Sequence, residues 1–173
     1  MNADSLIQTL ALEPHPEGGF YKEVYRAEGV IVQSALPACF SGDRHYATSI
    51  YFLLKAGQRS CFHKINQDEA WHFYAGSTLA VHMISPQGQY SVIKLGQNLA
   101  QGEVFQAVVP AGYYFAAQLF DLEASAEQFA LVGCTVSPGF DFADFSMPNQ
   151  QELLAEFPQH KALIQRLGYN TPH

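Results

Sequence analysis

The stretch "GQRSCFHKINQDEAWHFYAG", Gly57 to Gly76, decides how this chain reads. It combines two histidines, His63 and His72, two acids, Asp68 and Glu69, and the only tryptophan, Trp71. The runs "SCFHKI" and "EAWHFYAG" are rich in aromatic and apolar residues and flank the polar connection "NQD", which predicts two strands joined by a tight turn. Side chains alternate between faces along a strand. Cys61, His63 and Ile65 then share one face, with Phe62 and Lys64 on the other. Glu69, Trp71 and Phe73 share a face, with Ala70, His72 and Tyr74 opposite. If the connection is tight, His63 and Glu69 face each other on adjacent strands. An imidazole and a carboxylate on an interior face can be two ligands of a divalent cation. Alternatively, the carboxylate orients the imidazole and makes it a general base.

The same signal runs through most of the chain. "FYKEVYRA", "YATSIYFLL", "STLAVHMI", "YSVIKL", "VFQAVV", "YYFAAQLF" and "QFALVGCTV" are further strand candidates, separated by turn residues such as "KAGQ", "SPQGQ" and "PAG". "ADSLIQTL" predicts a short N-terminal helix capped by Asp4 or Ser5. "EPHPEGG" breaks it and reads as a turn. "NQQELLAEFPQHKALIQRLG" returns to helical period, with Pro158 dividing it and Gly168 ending it. About nine strands with helices only at the ends predict an all-β barrel or sandwich. Residues 1–173 read as one domain, with a barrel core over about 19–145 and a helical segment over about 149–168.

Composition bounds the function. The 173 residues are 48% hydrophobic and 14% charged, with net charge -7. That describes a well-buried globule with surface to spare for a partner, and a two-fold homodimer is expected. No basic cluster stands out, so neither nucleic acid nor an anionic membrane is expected as a partner. No run reaches the ~18 apolar residues of a membrane span, and the N-terminus lacks the pattern of a secretory signal. Cys39, Cys61 and Cys134 are odd in number and irregularly spaced, which suits reduced thiols in a cytoplasmic protein.

The spacing Gly57, His63, Ile65, Glu69, Gly76 resembles the first cupin motif, G-x5-H-x-H-x3-E-x6-G, with Ile65 in place of the second histidine. "GEVFQAVVPAGYYFAAQL" resembles the second motif, G-x5-P-x-G-x2-H-x3-N. Pro110 and Gly112 match, Gly102 lies two residues too far away, and Phe115 and Leu119 replace the histidine and asparagine. The blocks "HPEGGFYKEVYRA", "SIYFLLKAGQRSCFHKINQDEAWHFYAGSTL", "VVPAG" and "LVGCTVSPGFDFADF" together resemble one uncharacterised cupin family, a domain of unknown function (cupin type five), from about Leu6 to Phe145. The resemblance implies a double-stranded β-helix, the cupin jelly-roll barrel, and a dimer. Some of that family have been likened to metal-independent sugar-nucleotide epimerases with a histidine base. Lys64, Tyr113, Tyr114 and Ser146 depart from the family's usual residues.

Three functions follow. The first is a metal-independent isomerase or epimerase acting on a small polar, carbohydrate-like molecule. His63 is its base, Glu69 orients it, and a tyrosine such as Tyr51 or Tyr74 donates. Arg26, Arg44, Arg59 and Lys64 are the few cations available to an anionic substrate. The second is a non-catalytic small-molecule binder or sensor. The third is a metal-dependent cupin with an incomplete ligand set, His63 and Glu69, completed by water or His72. No cofactor is expected under the first two. The candidate pocket around His63 and Glu69 comprises Tyr51, Arg59, Cys61, Ile65, Trp71, Phe73, Gln106 and Phe115. The bland alternative is a buried His–carboxylate pair that only stabilises the fold.

Overall fold

The computed structural model describes residues 2–170. A short helix α1 (Ala3–Thr9) precedes the strands β1 (Glu13–Pro14), β2 (Phe20–Arg26), β3 (Val30–Ile31), β4 (Arg44–His45), β5 (Thr48–Lys55), β6 (Arg59–His63) and β7 (Glu69–Gly76). The chain continues through β8 (Leu79–Ile84), β9 (Tyr90–Leu95), β10 (Gln106–Val109), β11 (Tyr114–Leu119) and β12 (Phe129–Val136), then helices α2 (Gln150–Glu156) and α3 (Lys161–Leu167). The nine predicted strands are β2 and β5 to β12. The two-residue strands β1, β3 and β4 are too short to carry an alternation signal. The N-cap of α1 is Asn2, whose side chain accepts from the Ser5 N–H, two or three residues ahead of the expected cap. Pro158 opens a 3-10 turn that separates α2 from α3, as its missing N–H requires.

The strands form two sheets. One has the order β1-β2-β5-β12-β7-β10 and the other β6-β11-β8-β9, and every pairing is antiparallel. Phe52, Leu54, Trp71, Val81, Leu95, Phe115, Val132 and their neighbours fill the space between them. The fold is the cupin jelly roll. Both outer faces are partly covered. α2 and α3 lay Leu153, Phe157, Ile164 and Leu167 on Phe62, Ile84, Tyr114 and Ala116 of the smaller sheet. α1 covers Leu53, Phe129 and Leu131 of the larger. This explains why β8 and β11 are buried throughout rather than alternately.

Two local features shape the open end of the barrel. First, β6 is bulged against β11. His63 pairs with Phe115 and Ser60 with Ala117, so β6 spends one more residue than its partner. The expected alternation is therefore corrected: Ser60, not Cys61, is in phase with His63. Second, the segment after β12 crosses the mouth and is fastened from within. Arg44 donates from Nε and Nη2 to the two oxygens of Asp144 at 2.7 and 2.6 Å, and Gln67 and Asn66 donate to the same carboxylate. Lys64 and Ser146 exchange backbone hydrogen bonds at 2.8 and 3.0 Å. These contacts fix Phe140, Phe142 and Phe145 over the mouth, with ring centroids 5.0–6.3 Å apart.

Candidate functional site

The turn His15–Gly19 folds into the barrel. Gly18 N–H donates to the His15 carbonyl and His15 N–H to the Gly19 carbonyl, both at 3.0 Å. Gly18 has φ +112° and lies so close to the Arg59 carbonyl that a Cβ could not fit. The Cys61 N–H, in the bulged part of β6, donates to the Glu17 carbonyl at 2.8 Å. The turn thus stitches itself to β6 and points the Glu17 side chain inward.

Glu17 is buried and fully engaged. One carboxylate oxygen accepts from the Ser60 hydroxyl at 2.8 Å and the other lies 2.9 Å from His63 Nε2. His63 Nδ1 sits 2.7 Å from the Cys61 carbonyl, which can only accept, so Nδ1 carries a proton. Burial works against charge on both groups. For Glu17 it is outweighed by the charge and hydrogen bond of His63, with His15 and Ser60 adding, so its carboxyl is held below the usual range. For His63 it is outweighed by Glu17, the Cys61 carbonyl and Glu69, so its pKa is raised. The pair is an imidazolium and a carboxylate. Phe115 and Phe145 flank the imidazolium at centroid distances of 4.1 and 5.3 Å. His15 is neutral: burial lowers its pKa, and the Glu17 backbone N–H donates to its Nδ1 at 3.3 Å.

Beside this pair opens a cavity of about 470 Å³, within the size range of small-molecule sites. Its floor and walls include Tyr21, Ile50, Phe52, Ile65, Glu69, Trp71 and Cys134, and its mouth includes Glu23, Arg26, Asp141 and the three phenylalanines. Glu69 is 8% exposed, and among the described residues its carboxyl makes no hydrogen bond to a nitrogen or hydroxyl donor, with the Cys134 thiol lying beside it. Burial, reinforced by the Glu17 charge, lifts its pKa to about 7 against the opposing pull of His63. The carboxyl therefore exchanges a proton with its surroundings near neutrality. The Cys134 thiol, buried and next to Glu69, is raised well above its usual pKa and stays protonated.

The expected site residues sort as follows. His63, Ile65, Glu69 and Trp71 line the cavity, and Phe115 lies behind it against His63 and Trp71. Phe73 is in the packed core between the sheets. Tyr51 and Tyr74 stack edge-on at 5.9 Å, and Tyr51 packs with the α1 cluster outside the barrel, because its neighbours Ile50 and Phe52 point inward. Arg59 is exposed, the bulge turns Cys61 away from the cavity, and Gln106 is exposed beside His72. His63 and Glu69 meet across the two sheets rather than on adjacent strands, since β6 pairs with β11 while β7 pairs with β10 and β12. His72 bonds Gln106 and Thr135 outside the cavity. His82 pairs with Tyr90, and burial beside Arg166 lowers its pKa to about 4. Of the four candidate cations Arg26 alone reaches the cavity. Arg44 is spent on Asp144, Arg59 is at the surface, and Lys64 lies over the Tyr114 ring. Glu17, His15, Tyr21 and the three phenylalanines also line the cavity, and nothing local in the sequence marks them as site residues.

The donor set does not fit a cupin metal. Both His63 nitrogens are occupied, Ile65 and Phe115 cannot coordinate, and no group of three His, Cys, Asp or Glu side chains among the described residues is arranged to hold an ion.

Known proteins agree with this architecture. The chain belongs to the family described as Cupin superfamily (DUF985), which matches residues 4–148. The crystal structure of protein SO0799 from Shewanella oneidensis is similar to it, with 44% identity, 99% coverage of both chains and a TM-score of 0.86. A hypothetical protein from Leishmania major is 32% identical, with 98% and 100% coverage and a TM-score of 0.88. The uncharacterized protein YML079W of Saccharomyces cerevisiae is 33% identical over 145 residues, 80% of this chain and 71% of its own length. The likeness gives family and fold.

The Glu69 carboxyl makes stability depend on pH in a defined direction. A carboxyl raised from 4.5 to about 7 keeps a proton in the folded state that the unfolded chain has lost, so its contribution to stability falls as pH rises between those values. Glu17 and His63 act oppositely at their own ends: Glu17 loses its contribution as pH falls below about 4.5, and His63 as pH rises through its folded pKa above 6.5. Glu69→Gln removes the Glu69 part and, with it, the smallest of the influences that raise the His63 pKa. Urea unfolding from pH 4 to pH 8 should show the variant gaining about 3 kcal/mol relative to wild type across the range. Parallel profiles would show that Glu69 titrates normally.

Proposed function

We propose that this cupin binds a small polar molecule in the barrel mouth and moves a proton on it without a metal, as an isomerase or epimerase does. The proton-transferring group is Glu69. The observation that carries this role is a buried carboxyl facing the cavity with its pKa at about 7, close to the pH at which a general acid or base works best. His63 was the expected base, but its two nitrogens are held by Cys61 and Glu17, and the imidazolium form has no lone pair to offer. It serves instead as a fixed positive charge beside Glu69. That charge favours the carboxylate over the acid, while burial and Glu17 favour the acid, and the balance sets the Glu69 pKa. In a turnover, ionised Glu69 takes the proton from a carbon next to a carbonyl, leaving an enolate; an isomerase returns that proton to the neighbouring carbon, and an epimerase reprotonates the same carbon on its opposite face from a second donor. Tyr21, the tyrosine on the cavity wall, replaces Tyr51 and Tyr74 as the candidate donor.

A sugar nucleotide suits the cavity poorly. Arg26 is the cavity's arginine, and its Nε and Nη2 are already committed to Glu23 at 2.9 and 2.7 Å and its Nη groups to the Phe140 carbonyl. Among the described residues, a diphosphate would find no free cation there. A non-catalytic binder would use the same aromatic walls and would exchange no proton with what it binds.

We further propose that residues 1–173 act as one domain that pairs two-fold with a second copy in the cytoplasm. The three cysteines are unpaired, as a reducing compartment would keep them. Phe105 and Val108, at and beside edge strand β10, are exposed and apolar. No helix of the described residues is long and apolar enough to cross a membrane. Light scattering at micromolar concentration should give twice the 19.2 kDa chain mass, and the mass of one chain would count against pairing.

The proton-transfer proposal is tested in D2O with a panel of aldoses, ketoses and α-amino ketones followed by NMR. Wild type should exchange the Cα–H of at least one compound, and Glu69→Gln should slow that exchange by about 10²-fold or more. Binding without exchange across the panel would instead favour a sensor.

A further inference from the structure

We propose that the cavity selects a compact organic cation, a protonated amine on a ring or short carbon skeleton, whose ammonium group rests between the Glu69 carboxylate and the surrounding ring faces. The inference rests on the reading of this cavity as the binding site and adds the charge class of what enters it.

Three observations carry it. The first is the balance of fixed charge. Glu17 is matched by His63 and Glu23 by Arg26, each as a hydrogen-bonded pair. Among the described residues, two of the cavity's carboxylates are left without a basic partner at bonding distance, Glu69 at depth and Asp141 at the mouth. The second is the state of Glu69. A carboxyl at least nine-tenths buried, lining a cavity and with a thiol as its nearest donor among the described residues, is an acceptor waiting for a donor. A thiol is a weak donor, and an ammonium with three N–H groups is a strong one. The third is the lining. Phe52 and Trp71 meet edge-on at 6.0 Å on one side, next to Tyr21, and Phe140 and Phe142 close the other. Ring faces carry negative charge density that attracts a cation, and cages of this composition are how proteins hold alkylammonium groups. The molecule already uses this chemistry once, with the His63 imidazolium between Phe115 and Phe145.

The selection should depend on pH. The groups around Glu69 are His63, Glu17, His15 and Cys134 inside, and Glu23, Arg26 and Asp141 at the mouth. Of these, Glu17 is ionised and Cys134 protonated across the neutral range, and His15 is neutral. The Glu69 carboxyl is the group that changes charge near 7.

Three probes of one shape separate charge from size: benzylamine, benzyl alcohol and benzoate, titrated calorimetrically into the purified protein. At pH 8 benzylamine should bind about ten-fold or more tightly than benzyl alcohol, and benzoate most weakly. Lowering the pH to 5.5 should weaken benzylamine by about ten-fold or more and leave benzyl alcohol unchanged. Glu69→Gln should remove the preference for the amine. Asp141→Asn, an exposed change that leaves the fold intact, should reduce it. Benzoate binding as tightly as benzylamine, equal affinity for all three, or no binding of any probe would overturn the proposal. These titrations do not involve turnover. A failure of proton exchange with the amine preference intact would refute catalysis alone, and exchange on neutral sugars with no amine preference would refute the cation alone.

Discussion

A carboxylate buried as deeply as Glu17 must be paired, and the open end of this barrel is organised around that requirement. The idealised cost of moving an ion out of water is many kcal/mol, so an isolated charge there would either take up a proton or unfold its surroundings. Glu17 avoids both through two oriented donors, the Ser60 hydroxyl and the His63 ring. Each depends on the bulge in β6 that brings residues 60 and 63 to the same face. The bulge in turn frees the Cys61 N–H for the Glu17 carbonyl and the Cys61 carbonyl for His63 Nδ1. Turn, bulge and ion pair are one unit. Removing either charge alone should cost about 3–5 kcal/mol, because the other is left buried without a partner.

On the proposed metal-independent reading, the same unit stands where other cupins would place a metal. In the resembled motif a histidine points inward as a ligand. Here that histidine has no free lone pair, and Phe115 occupies the face where another ligand would stand. On that reading, the fixed positive charge that a cation would supply beside Glu69 comes from the imidazolium. Glu69 then keeps a titratable carboxyl near neutrality through two opposing influences, burial and that charge.

Much of the fold was legible because the strands carry regular signals. β7 and β9 match their predicted spans residue for residue, and alternation correctly placed Glu69 and Trp71 inside and His72 outside. His63 was found by its spacing. Its partner was not, because partner choice rests on long-range geometry. "HPEGGF" carries prolines and glycines that say "turn", and nothing local says that the turn enters the barrel. Cys61 was misplaced because a bulge leaves no mark in the pattern of residue types. Tyr51 was misplaced because both faces of β5 are apolar, one against the other sheet and one against α1. The aromatic wall of Phe140, Phe142 and Phe145 was quoted in "SPGFDF" and its continuation, but its position over the mouth depends on the Arg44–Asp144 bond, which spans a hundred residues.

The protonation state of His63 tests the account most directly. In protein labelled with ¹⁵N-histidine, NMR at pH 7.5 should show both His63 ring nitrogens protonated. Glu17→Gln should return the ring to the neutral form at that pH, because the burial that opposes its charge is no longer offset. A His63 that is neutral in the wild-type protein at pH 7.5, titrating near 6.5 and unaffected by the loss of Glu17, would contradict the ion pair on which the site is built.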